Sequence, residues 1–219
     1  MLKGARGEEA GVYKNILWDF DGTLFDTYPA LARALQEALK LHGVFVDYRE
    51  VYDRMRVTVG AALSYYEKEY ALPAEYRETY RTLRSPWEER LAVPYPGIPE
   101  LLRELQAAGR ESYIFTHRGA SLHGLLERHG LADCFRECVT SENEFPIKPD
   151  PAGIQYLMEK YAMDPRESIM IGDRALDVQA GLNAGIAGLA YQDGTGPAFQ
   201  CPGMQLARSV EEVRRILLK

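Results

Sequence analysis

The chain has 219 residues and a net charge of −6, and 46% of its residues are hydrophobic and 26% charged. These ordinary globular values exclude a disordered or fibrous protein, and the length allows one large domain or a core with an inserted lobe. The acidic balance provides no general cationic surface for nucleic acid. No apolar run reaches the roughly 18 residues that a membrane helix needs. We therefore expect neither nucleic acid nor a membrane as a partner.

Cysteine usage points to a reducing compartment. Cys134, Cys138 and Cys201 are an odd and sparse set, which argues against a disulfide framework and favours a cytoplasmic location. Cys134 and Cys138 are four residues apart, but without a second pair they are expected to be small buried hydrophobes rather than metal ligands. The polar leader over residues 1–9 has no apolar core, so it is interpreted as a floppy lead-in and not as a secretion signal.

The first part of the chain predicts one strand followed by a helical lobe. Residues 12–20 form the predicted strand, in which Ile16, Leu17 and Trp18 lead directly into acidic residues. Between residues 29 and about 91, apolar and aromatic residues recur at helical spacing. This pattern predicts about four helices and no strand. Nine of the chain's tyrosines lie between Tyr28 and Tyr95, and most of them are expected to pack inside the helical bundle.

From residue 96 onward the pattern alternates between strands and helices. The predicted strands are 112–116, 137–140, 168–171 and 186–190, and the predicted helices are 99–108, 121–129, 151–161, 175–184 and one that Ser209 caps. Alternation of this kind predicts an α/β fold with a doubly wound, Rossmann-like parallel sheet. Residues 1–27 and 96–219 are therefore expected to form the core, and residues 28–95 the inserted helical domain.

Polar residues stand where the predicted strands end, and in an open α/β sheet ligands bind beyond those carboxyl ends. The residues in question are Asp19, Asp21 and Gly22, then Thr116, then Lys148 at the start of a helix, and finally Asp173 with Asp177. Asp19, Asp21 and Asp173 gathered at one edge repel each other unless a cation neutralises them, and Mg²⁺ prefers carboxylate and phosphate oxygens. The sequence therefore predicts a magnesium site at this edge.

Carboxylates, a hydroxyl group and a lysine together indicate phosphoryl transfer. Mg²⁺ and Lys148 would bind phosphate oxygens, while Thr116 and backbone N–H groups near Gly22 would donate hydrogen bonds to them. One carboxylate then remains free to act as the nucleophile.

These motifs, in this order, resemble those of the haloacid dehalogenase-like hydrolase superfamily. The resemblance spans residues 15–190, and the helical insertion falls between the first and second motifs. The segments 21–26, 96–101 and 148–151 are similar to the phosphoglycolate phosphatase-like branch, with one spacing difference in the second. The resemblance implies a catalytic core with a helical cap domain.

The resemblance also implies a role for each acid. Asp19 would be the nucleophile that forms an aspartyl-phosphate, and Asp21 the general acid and later the base. Mg²⁺ would be held by Asp19, by the backbone carbonyl of Asp21 and by Asp173, with Asp177 in support. The implied activity is that of a Mg²⁺-dependent phosphatase acting on a small phosphorylated metabolite, a phosphoglycolate-like phosphomonoester. We expect a monomer or a weak homodimer.

The chain departs from the family pattern at two places. His117 and Arg118 follow Thr116 where an asparagine is usual, and Arg174 replaces a small hydroxyl residue. These bulky, potentially cationic groups are expected near the phosphate, so His117 and Arg118 are predicted to bind substrate.

Charged residues of the lobe are expected to be solvated. We expect the Glu88-Glu89 pair to lie on a solvated helix face. The arginines of the lobe are also expected at the surface, although one of them can reach the substrate; they include Arg54, Arg56, Arg81 and Arg84.

Other functions stay open at this point. A phosphomutase differs from a phosphatase only in the group that receives the phosphoryl group, and nothing in the sequence excludes it. A 2-haloacid dehalogenase uses the same nucleophile, but a departing halide needs no acid such as Asp21. A non-catalytic phosphate-binding regulator is the third alternative, because a fold does not by itself imply activity.

Overall fold

A computed structural model describes residues 12–219, and the expected lead-in over residues 1–9 lies outside these residues. In chain order, the elements are β1 (Asn15–Trp18), β2 (Phe25–Asp26), α1 (Tyr28–Leu41), α2 (Tyr48–Val57), α3 (Val59–Glu69), α4 (Glu75–Leu91), β3 (Val93–Pro94), α5 (Ile98–Ala107), β4 (Glu111–Phe115), α6 (Ser121–Arg128), β5 (Glu137–Val139), α7 (Ala152–Lys160), β6 (Ser168–Gly172), α8 (Ala175–Asn183), β7 (Ala187–Tyr191), β8 (Gln205–Ala207) and α9 (Val210–Leu217). Among the helices of this part of the chain, none is both long and apolar enough to cross a membrane.

Six strands form one parallel sheet in the order β5-β4-β1-β6-β7-β8. The central strand β1 pairs on both sides, since Ile16 lies opposite Ser112 of β4 and Ile169 of β6. Each crossover between neighbouring parallel strands needs a connection long enough for a helix. The predicted doubly wound α/β sheet is thereby confirmed.

Helices cover both faces of the sheet, which explains why its central strands are apolar throughout rather than alternating. Ile16 and Trp18 pack in one cluster with apolar residues of α5, α6 and α9. Leu17, between them in sequence, belongs to the cluster on the other face with residues of α7 and α8. Successive side chains of a strand point to opposite faces, so β1 contributes to both halves of the core.

The four helices expected between residues 29 and 91 are present as α1–α4 and enclose an apolar cluster of their own. Leu31, Leu35 and Leu39 lie buried on one side of α1, as their spacing predicts. The chain enters and leaves this helical segment through β2 and β3, which pair antiparallel. Both connections therefore pass side by side.

The sequence did not predict β2, β3 or β8. The first two have two residues each and β8 has three, so they are too short for an alternating pattern. β8 adds to the sheet at its edge beside β7. These strands form because distant segments meet, and their own residues carry no strand signal.

Ile169 is fully buried in β6, so we expect the loss of unfolding free energy to grow with the number of methyl groups removed from its side chain. Ile169→Ala should lower the free energy of unfolding by about 2–5 kcal/mol, and Ile169→Val by about 0.5–1.5 kcal/mol, because the removed methyl groups leave a cavity. The Leu41 side chain is 67% exposed, so Leu41→Ala should change the free energy of unfolding by about 0.5 kcal/mol or less. Urea unfolding measures all three, and equal losses at Ile169 and Leu41 would contradict the described packing.

Candidate active site

Three acids lie at the carboxyl edge of the sheet. Asp19 follows β1 and its backbone N–H donates to Ile171 O at 2.8 Å, while Asp173 directly follows β6. Asp177 lies in the first turn of α8, where its Oδ2 accepts from the backbone N–H of Arg174 at 3.1 Å. Carboxylate oxygens of Asp19, Asp173 and Asp177 lie within 4.8 Å of one another, and all three residues are buried.

Lys148 lies between two of these acids. Its Nζ is 2.7 Å from Asp19 Oδ1 and 2.5 Å from Asp177 Oδ1, and it donates to Phe115 O at 3.0 Å. The ammonium group is fully buried, and a buried charge is tolerated only when it is paired and hydrogen-bonded. Lys148 therefore compensates part of the negative charge and orients one oxygen of Asp19.

One lysine does not balance three acids. Burial, and next the charge of Asp177, raise the pKa of Asp19 against the opposing effect of Lys148. Burial raises the pKa of Asp173 to about 8; Arg174 opposes this, while Asp177 and Asp19 add to it. Asp173 Oδ1 is buried and has no hydrogen-bond partner within residues 12–219. A divalent cation fits this group of hard oxygen donors and would relieve their repulsion.

Gly22 is required at its position for two reasons. Its φ is +81°, and a Cβ there would lie 2.3 Å from Asp173 Oδ2 and 2.5 Å from the ring of Tyr28. The Tyr28 hydroxyl in turn donates to Asp173 Oδ2 at 3.1 Å. The N–H of Gly22 donates to Phe25 O at 2.8 Å, so that donor serves the turn and not a ligand. The structure thus gives Gly22 itself a steric role, whereas the sequence predicted that N–H groups near Gly22 donate to phosphate.

Thr116 and His117 follow β4 at the same edge. Thr116 Oγ1 accepts from the backbone N–H of Arg118 at 3.1 Å, and its hydroxyl proton has no acceptor in the described part of the chain. His117 Nε2 accepts a hydrogen bond from the backbone N–H of Lys148 at 2.7 Å. Burial, and next the charge of Lys148, lower the pKa of His117 to about 4. His117 is therefore neutral near pH 7 and adds no positive charge, contrary to the cationic group that the sequence allowed.

Arg118 is buried and engaged with protein groups. Its Nη2 is 2.6 Å from Asp21 Oδ1 and 2.7 Å from Glu88 Oε1, and its Nη1 donates to Ser121 Oγ at 3.1 Å. With the bond from its Nε to Asp21, these contacts use four of the five guanidinium N–H groups of Arg118, and its predicted contact with substrate stays a prediction. Asp21 Oδ1 also accepts from Thr27 Oγ1 at 2.6 Å. Burial by itself would raise the pKa of Asp21, but Arg118 outweighs it and holds the pKa below its usual range.

The prediction that Glu88 is solvated is wrong. Its side chain is 6% exposed and its Oε1 pairs both with Arg118 and, at 2.6 Å, with Nε of Arg84. A sequence signal existed, because Tyr76, Tyr80 and Glu88 are spaced by multiples of four on α4 and all three are buried. Glu88 thus continues the inward-facing stripe of that helix.

Arg56 on α2 is likewise buried and not a surface charge. Its guanidinium lies 4.6 Å from the centre of the Tyr28 ring, and its Nη2 is 3.8 Å from Asp173 Oδ2. Arg174 approaches the same acids from the core, with Nη2 at 3.4 Å from Asp19 Oδ2 and Nε at 3.7 Å from Asp173 Oδ1. Each arginine supplies part of the positive charge that the acids require.

A cavity of about 350 Å³ opens between this edge of the sheet and the helical segment. Residues of the sheet edge and its loops that line it are Asp21, Thr116, His117, Arg118, Lys148 and Arg174, and those of the helical segment include Tyr28, Leu31, Val59 and Arg84. A larger cavity of about 900 Å³ lies on the outer side of α1, near Trp87, and none of the strand-end acids lines it. The smaller cavity is the one that adjoins the chemically competent groups.

Comparison with known proteins places this geometry in context. Residues 16–191 match the haloacid dehalogenase-like hydrolase family. A phosphoglycolate phosphatase of Vibrio vulnificus (strain CMCP6) is 33% identical over 192 residues, which cover 81% of this chain and 84% of the relative. An N-acetylmuramic acid 6-phosphate phosphatase of Pseudomonas aeruginosa is 30% identical over 190 residues, which cover 83% and 82%. The crystal structure of a hydrolase from Streptococcus pneumoniae TIGR4 superposes with a TM-score of 0.65 at 27% identity and covers 94% of this chain and 99% of that one.

Gly22 provides a test of cation binding at the acids. A cation that binds at these acids would raise the thermal midpoint at saturating Mg²⁺. Gly22→Ala should abolish that rise, because the added Cβ would displace the Asp173 carboxylate. Gly43→Ala is the matched control, since Gly43 has φ +79° but nothing within 4 Å of its added Cβ. Gly43→Ala should lower the free energy of unfolding by about 1–2 kcal/mol through backbone strain, yet its thermal midpoint should still rise fully with Mg²⁺. A full shift in Gly22→Ala would contradict a cation at Asp173.

His117 predicts a specific loss of stability in acid. The unfolded histidine binds a proton near pH 6.5, whereas the folded one does so near pH 4. Stability from neutral His117 is therefore complete above pH 6.5 and is lost as the pH falls towards 4, by up to about 1.4 kcal/mol per pH unit. His117→Gln retains an acceptor for the Lys148 N–H and does not titrate, so its stability should fall less steeply in urea unfolding from pH 7 to 4.5. His123→Gln, at an exposed residue, is the control and should leave the pH dependence of stability unchanged. If stability falls as steeply with pH in His117→Gln as in the original chain, the lowered pKa of His117 is refuted.

Proposed function

The chain belongs to the haloacid dehalogenase-like hydrolase family and is a phosphoric monoester hydrolase, and from this premise we propose that it dephosphorylates a small metabolite with Mg²⁺. The reaction would proceed through an aspartyl-phosphate on Asp19, and the substrate would be a phosphoglycolate-like phosphomonoester. One observation carries this proposal: buried Asp19, held by Lys148, lies within the acid cluster beside a 350 Å³ cavity. The relatives named above are phosphatases of phosphorylated metabolites, which supports the same class.

The proposed metal ligands are side-chain oxygens of Asp19 and Asp173 and the backbone carbonyl of Asp21. Asp177 would support them through its pairs with Lys148 and with the Arg174 backbone. Asp173 Oδ1 has no hydrogen-bond partner within residues 12–219 and only a 3.7 Å contact with Arg174 Nε, which supports this assignment. When bound, Mg²⁺ supplies the positive charge that keeps these acids ionised and offsets the charge of the phosphate.

In the first proposed step, Asp19 Oδ2 forms a bond to phosphorus while the ester P–O bond breaks. Lys148 holds Oδ1 of the same carboxylate at 2.7 Å. Oδ2 has only the longer contact of 3.4 Å with Arg174 Nη2, so Oδ2 is the oxygen assigned to the attack. The Thr116 hydroxyl donates to a phosphate oxygen, and Asp21 gives its proton to the leaving alkoxide. Because Arg118 keeps Asp21 ionised without substrate, Asp21 must take up a proton from solvent as the negative phosphate comes to lie beside it, and it returns this proton to solvent when orthophosphate has left.

In the second proposed step, Asp21 acts as a base. It takes a proton from a water molecule whose oxygen forms a bond to phosphorus, the bond from phosphorus to Asp19 breaks, and orthophosphate leaves. Asp21 is again protonated and Asp19 is again a free carboxylate, so atoms and charges balance over the cycle. Arg118 favours the ionised form of Asp21 that accepts this proton.

We further propose that residues 28–95 act as a cap domain over residues 1–27 and 96–219. β2 and β3 join the two parts directly beside the nucleophile loop, and the cavity is lined from both sides. A cap in this position can exclude bulk water from the transfer step and select substrates. The cytoplasmic location expected from the cysteines remains a prediction.

The mechanism predicts separate effects of the two acids on hydrolysis of an aryl phosphate. Asp19→Asn should abolish turnover and the phosphoenzyme, whereas Asp21→Asn should still bind phosphate but slow turnover by about 10²–10⁴-fold. EDTA should stop the unmodified enzyme, and added Mg²⁺ should restore it. Asp133→Asn, at an exposed residue, is the control. A phosphoenzyme trapped in Asp19→Asn would refute the nucleophile, and turnover that EDTA leaves unchanged would refute the metal.

A further inference from the structure

Arg84 brings a positive charge from the helical segment into the catalytic cavity. It lies on α4 and lines the cavity together with Thr116 and Lys148. Its charge contributes to lowering the pKa of Asp21, which shows that the two side chains are near each other. Among the arginines of the lobe that the sequence singled out, it is the one that lines this cavity.

The Arg84 guanidinium is oriented by one acid and keeps its outer donors free. Its Nε is 2.6 Å from Glu88 Oε1. Within residues 12–219, neither Nη atom of Arg84 has a hydrogen bond, and the ion pair of Arg84 is with Glu88. Glu88 is itself held by Arg118 at 2.7 Å, so the carboxylate that orients Arg84 is anchored to the core. A guanidinium held at Nε presents its two Nη groups as a planar fork.

The other cations of the cavity are engaged by acids. Lys148 pairs with Asp19 and Asp177, and Arg118 with Asp21 and Glu88. Arg174, which also lines the cavity, pairs with Asp19 and Asp173. These groups serve the phosphate end of the site. Arg84 lies on the lobe side, so its fork is available to a different part of a bound molecule.

On the basis of the proposed phosphatase function, we infer that Arg84 determines specificity by binding a carboxylate that the substrate carries away from its phosphate. A carboxylate matches the guanidinium fork with two parallel hydrogen bonds. The cavity volume of about 350 Å³ lies at the small end of ligand sites, which favours a short phosphorylated acid. A second phosphate has similar oxyanion chemistry, but a single guanidinium that already pairs with Glu88 suits a monoanion better.

Glu88 acts in this scheme as a positioning residue. It touches neither phosphate nor carboxylate, but its Oε1 joins Arg84 to Arg118. Glu88→Gln should leave Arg84 charged but poorly oriented, so it should weaken selectivity for the acid less than removal of the arginine does.

The test compares esters that differ in a carboxylate. Phosphoglycolate is paired with ethyl phosphate, and 3-phosphoglycerate with glycerol 3-phosphate, while fructose 1,6-bisphosphate probes a second phosphate. The unmodified enzyme should prefer the acid in each pair. Arg84→Met should lower kcat/KM for the acids by about 10- to 100-fold more than kcat/KM for the neutral esters, the range for charge-assisted hydrogen bonds; an effect through Asp21 would be common to both members of a pair and cancels in the ratio. Arg84→Lys should retain part of the preference, because it keeps the charge without the fork.

Arg81→Met is the matched control. Arg81 lies on the same helix, its side chain is 66% exposed, and it pairs with Glu78 outside the cavity. Acid-to-neutral ratios in Arg84→Met that equal those in Arg81→Met would overturn the inference. So would an unmodified enzyme without preference for the acids, or a loss confined to the bisphosphate.

A binding measurement separates this inference from the proposed activity. Calorimetric titration of phosphoglycolate and ethyl phosphate into Asp19→Asn, with and without Arg84→Met, requires no turnover. If no ester is hydrolysed by the unmodified enzyme, the proposed function fails, yet tighter binding of the acid that depends on Arg84 would still support the inference. Equal binding of the acid with and without Arg84 would overturn it, whatever the activity.

Discussion

The mutual repulsion of three buried acids is the constraint on which the rest of the site depends. Asp19, Asp173 and Asp177 have oxygens within 4.8 Å of each other at the edge of the sheet, and their burial raises the pKa of the first two. Positive charge must therefore reach this point from several directions. Lys148 comes from the loop before α7 and Arg174 from the turn before α8. Each of them neutralises part of the negative charge of the acids, and a divalent cation is the group best suited to neutralise the rest.

A second chain of charges links the sheet edge to the helical segment. Asp21, Arg118, Glu88 and Arg84 alternate in sign, and each contacts the next at 2.6 or 2.7 Å. Because such contacts lose strength steeply when a buried partner moves away, the position of α4 bears directly on the acid beside the nucleophile. In the proposed mechanism, substrate selection by the lobe and proton transfer in the core would thus share one set of side chains.

The sequence by itself determined the fold class and the set of strand-end residues. Apolar strands and amphipathic helices are local patterns, and the run Ile16-Leu17-Trp18 before Asp19 shows a buried strand that ends in an acid. Parallel strands then bring their carboxyl ends to the same edge, so the meeting of Asp19 and Asp173 follows from topology. Helix and strand limits agree with the predicted ones to within a few residues, except where β2, β3 and β8 depend on distant segments.

Only the tertiary structure decided which partner each charged side chain meets. Arg118 and Asp21 are 97 residues apart in sequence, and Lys148 and Asp19 are 129 apart. Whether a glutamate such as Glu88 is solvated or buried between two arginines depends on those partners, and its immediate neighbours in sequence do not reveal it. The same holds for His117, whose neutral state follows from burial beside Lys148. Charge and protonation are set by the low-dielectric surroundings that the folded chain creates, and that environment exists only once distant segments have packed together.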